Sequence, residues 1–183
     1  MIRDVTEALI DLIASKTPET PDWVKATSLH GGGTSEPATD KLHVFLYAVE
    51  EHAHLRNQPP VLTPDGYRRP PLALRLHYLV TYFDTSHLEC QARLAKVAEI
   101  FYDTPVLGPE RLKPALAAKV GQITVRMRSP GAEERGQVWT GLGRPMRLAL
   151  YYDVDIAPIE SQLAEGGKQI VRREVDYHVG TTA

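Results

Sequence analysis

Apolar and polar residues alternate along the chain with the two periods that separate helices from strands. Apolar residues recur at helical spacing across residues 2–14 and the run stops before Pro18, which predicts an amphipathic opening helix. Ser86 and Glu89 have the spacing of a capping box, so a second helix is expected to begin there and to end before Pro105. Its expected buried residues are Leu88, Leu94, Val97, Ala98 and Phe101.

Strict two-residue alternation predicts five strands. A third helix is expected between two of them. A shorter strand is expected within residues 23–29. Ser129-Pro130 would cap the third helix, whose apolar side carries Trp139. The five strands are predicted at residues 42–52, 72–83, 122–128, 146–156 and 170–179. In the strand 122–128, Ile123, Val125 and Met127 are expected inward, and Thr124, Arg126 and Arg128 outward.

The faces of one predicted strand and two predicted loops complete this description of the fold. Apolar residues occupy both faces of residues 42–52, with Val49 on the face of Phe45, as is typical of a strand covered on both sides. Residues 30–40 and 56–71 are predicted loops, and the second contains five prolines. The order of elements favours an α+β single domain: a mixed, mostly antiparallel sheet of about five or six strands packed by three helices. We expect residues 1–165 to form this domain and residues 166–183 a C-terminal arm or strand.

Composition and charge narrow the class of protein. The 183 residues are 43% hydrophobic and 24% charged with a net charge of −2, which excludes a disordered or coiled-coil chain and disfavours a nucleic-acid partner. No apolar stretch approaches the roughly 20 residues that span a bilayer, and Asp4 falls where a signal peptide would be basic. Because Cys90 is the single cysteine, a disulfide framework is excluded. We expect a protein without a membrane partner that assembles in the cytoplasm.

Candidate catalytic motifs are few. The run Gly31-Gly32-Gly33 lacks the Gly-Lys-Ser sequence and the helix of a phosphate-binding loop, so a linker is expected. Cys90 is predicted one turn from Leu94, where a small buried residue is a better interpretation than a nucleophile. These observations predict no catalytic residue, no cofactor and no enzyme.

A histidine cluster supplies the alternative function. His52 and His54 have the spacing of metal ligands at the end of a strand, and His43 and His77 fall on neighbouring predicted strands. The alternative is therefore a small metal-binding protein or enzyme. Surface histidines at a strand end explain the same pattern, since no carboxylate or cysteine completes a ligand set, and we predict no metal.

Paired arginines and the last strand are the candidates for interaction. Paired arginines are typical either of a solvated surface or of salt bridges between subunits. The segment 170–179 could add to the edge of a partner's sheet or close the chain's own sheet. The residues predicted at a subunit or partner interface are Arg68, Arg69, Arg126, Arg128, Ile170, Arg172, Arg173, Val175 and Tyr177.

Six segments of the chain have a combined pattern of a known family. They are residues 2–9, 42–57, 69–81, 94–107, 138–142 and 147–155. Together these segments resemble the N-terminal domain of the cap proteins of contractile injection systems. Their order and spacing match that family over nearly the whole chain, with small departures at Met146 and Ala149.

The resemblance implies a structural role. Such proteins are similar to the tail terminators of contractile phages, and form a six-fold ring that stops polymerisation of the inner tube and the sheath. The implied partners are five further copies of the chain, the inner tube protein and the sheath protein, within a phage tail-like particle. A closed ring requires head-to-tail contacts that return to the first copy.

Overall fold

The structure is a computed structural model that describes residues 1–19, 21–31, 37–52, 61–63, 66–68, 72–159 and 164–165. Two short 3-10 turns accompany the helices, at Pro21–Trp23 and Pro109–Arg111. The α-helices in these residues are α1 (Ile2–Ser15), α2 (His87–Asp103), α3 (Pro114–Ala117) and α4 (Ala132–Gly141). The strands are β1 (Val24–Ala26), β2 (Lys41–Glu51), β3 (Val61–Thr63), β4 (Gly66–Arg68), β5 (Leu72–Phe83), β6 (Val106–Leu107), β7 (Ile123–Arg128), β8 (Ala149–Ile159) and β9 (Ala164–Glu165).

One mixed sheet organises the domain. Its six strands have the order β1-β2-β5-β8-β7-β6, in which β1 and β2 are parallel and the other neighbours are antiparallel. A second sheet, β3-β4-β9, lies partly in the segment 56–71, which the sequence predicted to be a loop. The α+β prediction is confirmed, with the four-residue helix α3 as an addition to the three expected helices.

Helices α1 and α2 pack on one face of the large sheet and form the larger core. Strand β5 carries Leu76, Tyr78 and Val80 on this face, all at most 1% exposed. The Tyr78 hydroxyl is paired with Thr6 of α1 at 2.8 Å, and burial raises the pKa of Tyr78 to about 12. A buried hydroxyl with a partner avoids the cost of an unsatisfied polar group. The alternation predicted for β5 is thus confirmed where it meets the helices.

The opposite face of the sheet carries a smaller core that we call the Trp139 cluster. Trp139 from α4 packs there against Leu79 and Phe83 of β5 and Tyr151 of β8, together with Leu29. The Trp139 Nε1–H donates to the Tyr151 hydroxyl at 3.0 Å. Because apolar groups cover both faces of β5, this strand is central. The two-sided pattern predicted for residues 42–52 belongs to β2, the neighbour of β5 and the second strand of the sheet.

A β-bulge in β2 changes which residues share a face. The pairing passes from Leu46 opposite Tyr78 to Ala48 opposite His77, so Tyr47 is the extra residue. One inserted residue reverses the alternation that follows it. Val49 therefore lies on the face opposite to the one predicted and is 46% exposed.

The helix starts differ from the sequence predictions in detail. Half of the predicted capping box forms, since Ser86 Oγ accepts from the Glu89 N–H, while the Ser86 N–H donates to Asp84. Helix α4 begins after Gly131 without a side-chain cap, so Ser129 is not its cap. The predicted buried positions that prove exposed are Leu88 at 76% and Met127 at 54%. Met146 was predicted in the strand 146–156, but it precedes β8, which begins at Ala149.

A close backbone approach joins the loop after β1 to the end of α4. The Gly31 N–H donates to the Leu142 carbonyl at 2.6 Å, and a Cβ on Gly31 would lie 2.5 Å from the Gly143 carbonyl oxygen. Gly31→Ala is therefore expected to lower the free energy of unfolding by about 1–3 kcal/mol, because backbone must move. Urea denaturation measures this change.

A glycine in open space provides the matched control. Gly136 lies inside α4 with no neighbouring atom within 4 Å of an added Cβ among the described residues. Gly136→Ala is expected to stabilise the fold by about 0.5–1 kcal/mol, since alanine restricts the unfolded chain more than glycine does. Equal effects of the two substitutions would contradict the close contact at Gly31.

Candidate interaction surface

Charged side chains form rows across the sheet, on the face that also carries the Trp139 cluster. In one row Glu50 of β2 lies opposite Arg75 of β5, and Arg75 lies opposite Asp155 of β8. Arg75 Nε donates to Asp155 Oδ1 at 2.8 Å, and Arg126 of β7 pairs with the other carboxylate oxygen. His52 lies beside the same arginine, with its Nε2 atom 3.1 Å from Arg75 Nη2. Asp155 thus connects three strands.

The next row is centred on a buried imidazole. His77 Nδ1 lies 2.7 Å from Asp153 Oδ1, and His77 Nε2 lies 3.3 Å from Glu50 Oε2. The ring therefore lies between two carboxylates. Register places Arg126 opposite Asp153, and Arg128 Nε lies 3.8 Å from Asp153 Oδ1.

Arg128 joins the end of β7 to α4. Its guanidinium donates to both carboxylate oxygens of Glu134, at 2.6 and 3.0 Å, and to the Tyr47 hydroxyl at 3.0 Å. Burial raises the pKa of Tyr47, and the neighbouring Arg128 charge opposes this. A bidentate pair of this kind fixes geometry as well as charge, so Arg128 holds α4 against the sheet.

The predicted interface residues have different places in the structure. Arg126 is 60% exposed, and both Arg126 and Arg128 have ion-pair partners within the chain. Arg68 falls in β4. Those outside the described residues are Arg69, Ile170, Arg172, Arg173, Val175 and Tyr177. Their role at an interface stays a prediction.

The histidines of the alternative metal site have separate partners. His43 and His77 are both buried, but His43 is bound to the Ala38 carbonyl and His77 to Asp153. His54 lies outside the described residues. Within the described part of the chain, no three His, Cys, Asp or Glu side chains are placed to hold a metal ion. The metal-binding alternative gains no support here.

His43 gives stability a dependence on pH. Burial lowers the pKa of His43 below 6.5, although its hydrogen bond to Ala38 raises the pKa in part. The unfolded chain then binds more protons than the folded one as the pH falls, so stability is full above pH 6.5 and decreases below it. His43→Leu is expected to flatten the loss of stability between pH 7 and 5. Denaturation curves at each pH provide the measurement.

An exposed histidine serves as the control for that experiment. His87 lies exposed in the first turn of α2. His87→Gln is expected to leave the pH dependence as it is in the unmodified chain. If His43→Leu and the unmodified chain lost stability in parallel on acidification, His43 would not be the responsible group.

A largely apolar groove lies between α2 and β7, and we call it the α2–β7 groove. Its volume is about 730 Å³. The Phe101 and Tyr152 rings pack edge to face in it, with centroids 4.8 Å apart. Tyr102 and Met127 also line it and are 85% and 54% exposed. Large apolar side chains exposed together are typical of contact surfaces.

Sequence patterns missed this groove for a definite reason. Met127 continues the alternation of Ile123 and Val125, so the pattern predicted it inward, and it does lie on the helix-side face of β7. What exposes it is the groove beside α2, where no described segment covers it. One residue could have indicated the groove from the sequence. Tyr102 is an aromatic residue outside the apolar stripe of α2.

Known proteins share both the sequence pattern and the fold of this chain. Residues 4–173 match the family described as the Pvc16 N-terminal domain. The chain is similar to the PVC sheath/tube terminator of an extracellular contractile injection system in its extended state, with 18% identity, a TM-score of 0.64, and coverage of 100% of this chain and 65% of that one. It is also similar to the anti-feeding prophage cap, a tube-terminating cap, with 18% identity, a TM-score of 0.61, and coverage of 97% and 62%. The chain thus spans less than two thirds of either structure. No curated protein matches.

Proposed function

Because this chain belongs to the Pvc16 N-terminal domain family, we propose that it is a structural cap that ends the inner tube and the sheath of a contractile injection system. The observation that carries the proposal is the family match over residues 4–173. A shared fold with a sheath/tube terminator along the full length of the chain supports it. The role is one of binding and assembly, without a chemical reaction.

The assembly that fits this role is a closed ring of six copies. Head-to-tail contacts close into a ring when the rotation between copies returns to the start, and otherwise extend into a filament. A cap has to end growth, so closure is required. Residues 1–165 would supply the body of each copy and residues 166–183 an arm, and the ring would join the tube and sheath while the particle assembles in the cytoplasm.

The described surface has the properties that such contacts need. The central strand β5 is buried on both faces, which favours a rigid body. Exposed large apolar side chains supply contact area. They are Val49, Leu72, Leu88, Tyr102, Val106, Met127, Met146 and Leu148. In the described part of the chain, no helix is long and apolar enough to cross a membrane.

Native mass measurements test the proposal. The purified chain is measured alone, with the tube protein, with the sheath protein and with both. The expected result is a complex of six copies, formed alone or in the presence of a partner. A chain that stays monomeric and captures neither partner contradicts the proposal, and a stable dimer or an open filament contradicts the six-fold ring.

A further inference from the structure

Strand β7 has an outer edge that the described residues leave partly unpaired. It pairs with β8 from Ile123 to Arg128, but β6 pairs only with Ile123 and Thr124. The Val125 N–H still finds a partner, the Pro105 carbonyl at 2.8 Å. Backbone groups two residues apart point to the same side of a strand. The N–H and C=O of Met127 therefore face outward at the open edge, where no described strand lies.

The α2–β7 groove adjoins this open edge, and its two sides differ in chemistry. Its floor is apolar and aromatic, and the Met127 side chain forms the sheet-side lip. Glu99 and Asp103 on α2 line the other side and are both exposed. The buried Tyr152 hydroxyl has no hydrogen-bond partner among the described residues. An extended segment with apolar residues on one face and a cation at the rim would satisfy this surface.

Residues 166–183 of the chain have that pattern. In an extended conformation Val171, Arg173, Val175 and Tyr177 share one face. The opposite face carries Arg172, Glu174 and Asp176, which alternate with them and have a net charge of −1. Fully extended, the segment spans at most about 60 Å.

We propose that residues 166–183 of one copy add as a strand to β7 of the neighbouring copy and fill its α2–β7 groove. Val175 and Tyr177 lie against Met127 and Tyr102, and backbone groups of the added strand pair with Met127. This inference rests on the proposed function, because it takes the copies to lie side by side in a ring.

Charge complementarity supports this occupant on the groove face of the added strand. There Arg173 meets the carboxylates of Glu99 and Asp103. On the other side of β7, Arg126 and Arg128 already bind Asp155 and Glu134 within the chain, so the argument from charge is confined to the groove face. Strand addition supplies main-chain hydrogen bonds, while alternate side chains provide specificity.

Donation of residues 166–183 from each copy to the next also accounts for closure of the ring. Each copy offers one segment and one groove, so a head-to-tail ring leaves neither unused. An open end would expose an unfilled groove and a free strand edge, which proteins generally avoid. Ring closure is therefore favoured over chain growth in this arrangement.

Disulfide trapping between full-length chains tests the inference. One chain carries Met127→Cys and a second carries Val175→Cys, and the two are mixed under mild oxidation. A covalent heterodimer is expected on non-reducing gels. The native Cys90 is buried and does not interfere. The matched control replaces Met127→Cys with Met146→Cys, which is also exposed but outside the groove, and is expected to give little heterodimer.

Charge reversal adds a second readout in the same mixture. Arg173→Glu in the Val175→Cys chain is expected to lower the yield of heterodimer about two- to fivefold, the range for one exposed ion pair. Asp103→Arg in the Met127→Cys chain is expected to restore it. Rescue of this kind does not follow from a loss of folding.

Four results would overturn the inference. One is a cross-link that forms only when both substitutions are in one chain, because the segment would then fill its own groove. Another, in a mixture that also contains tube and sheath subunits, is a Met127→Cys chain that links only to those subunits. The third is equal yield from the Met146→Cys control, and the fourth is no heterodimer at all. Rings that form and bind the tube without this cross-link would leave the proposed function intact, whereas loss of rings and tube capture would contradict the function itself.

Discussion

Trp139→Ala is expected to lower the free energy of unfolding by about 3–5 kcal/mol, the range for removing a large buried aromatic side chain. Trp139 is 1% exposed and lies in the smaller core, against Leu79 and Phe83. Its removal leaves a cavity between α4 and the sheet. It also leaves the Tyr151 hydroxyl without the 3.0 Å hydrogen bond from Trp139 Nε1. Equilibrium denaturation in urea measures the change.

A control separates the volume of Trp139 from its hydrogen bond. Tyr151→Phe keeps the packing but removes the acceptor, and is expected to cost about 1–3 kcal/mol because a buried N–H is left unpaired. A Trp139→Ala loss below about 1 kcal/mol would mean that α4 is not anchored through this side chain. The same loss from both substitutions would mean that the hydrogen bond, and not the packing, matters.

Asp155→Asn is expected to cost about 2–3 kcal/mol, since it removes the charge that holds two arginines together. The Asp155 side chain is 14% exposed and binds both Arg75 and Arg126. Without its negative charge the two guanidinium groups lie on neighbouring strands with a weaker partner between them. Thermal or urea unfolding measures the loss of stability.

An exposed ion pair supplies the comparison. Glu99 binds Lys96 at 3.0 Å, with both side chains more than half exposed. Glu99→Gln is expected to change stability by less than about 0.5 kcal/mol, because water screens such a pair. If Asp155→Asn and Glu99→Gln had equal effects, the charged rows across the sheet would contribute no more than a surface pair.

Periodicity predicted the elements that carry an unbroken apolar face. Residues 2–14 and 72–83 were predicted almost to the residue, because each presents such a face to the larger core. The start of α2 was also predicted, since Ser86 is a local signal that needs no distant partner.

Features that depend on distant partners could not be predicted in this way. The bulge at Tyr47 reverses the faces of β2, and one sequence carries no mark of where the pairing with β5 shifts. The charged rows join residues up to about 80 positions apart, such as Arg75 and Asp155, so only the register of the strands brings them together. Strands β3 and β4 form within a segment where five prolines favoured a loop.

The candidate interaction surface was predicted only in part. Arg126 and Arg128 were expected outward on β7, and both lie on its face away from the helices. The α2–β7 groove was missed, because its exposure depends on how far α2 lies from the open edge of β7. Spacing along the chain does not record that distance.

Electron microscopy of tube assembly shows directly whether this chain ends the growth of the inner tube. Tube protein is polymerised with and without the purified chain, and particle ends are imaged and averaged. We predict shorter tubes that carry a six-fold ring at one end. Tubes of unchanged length with no added density at either end would contradict it.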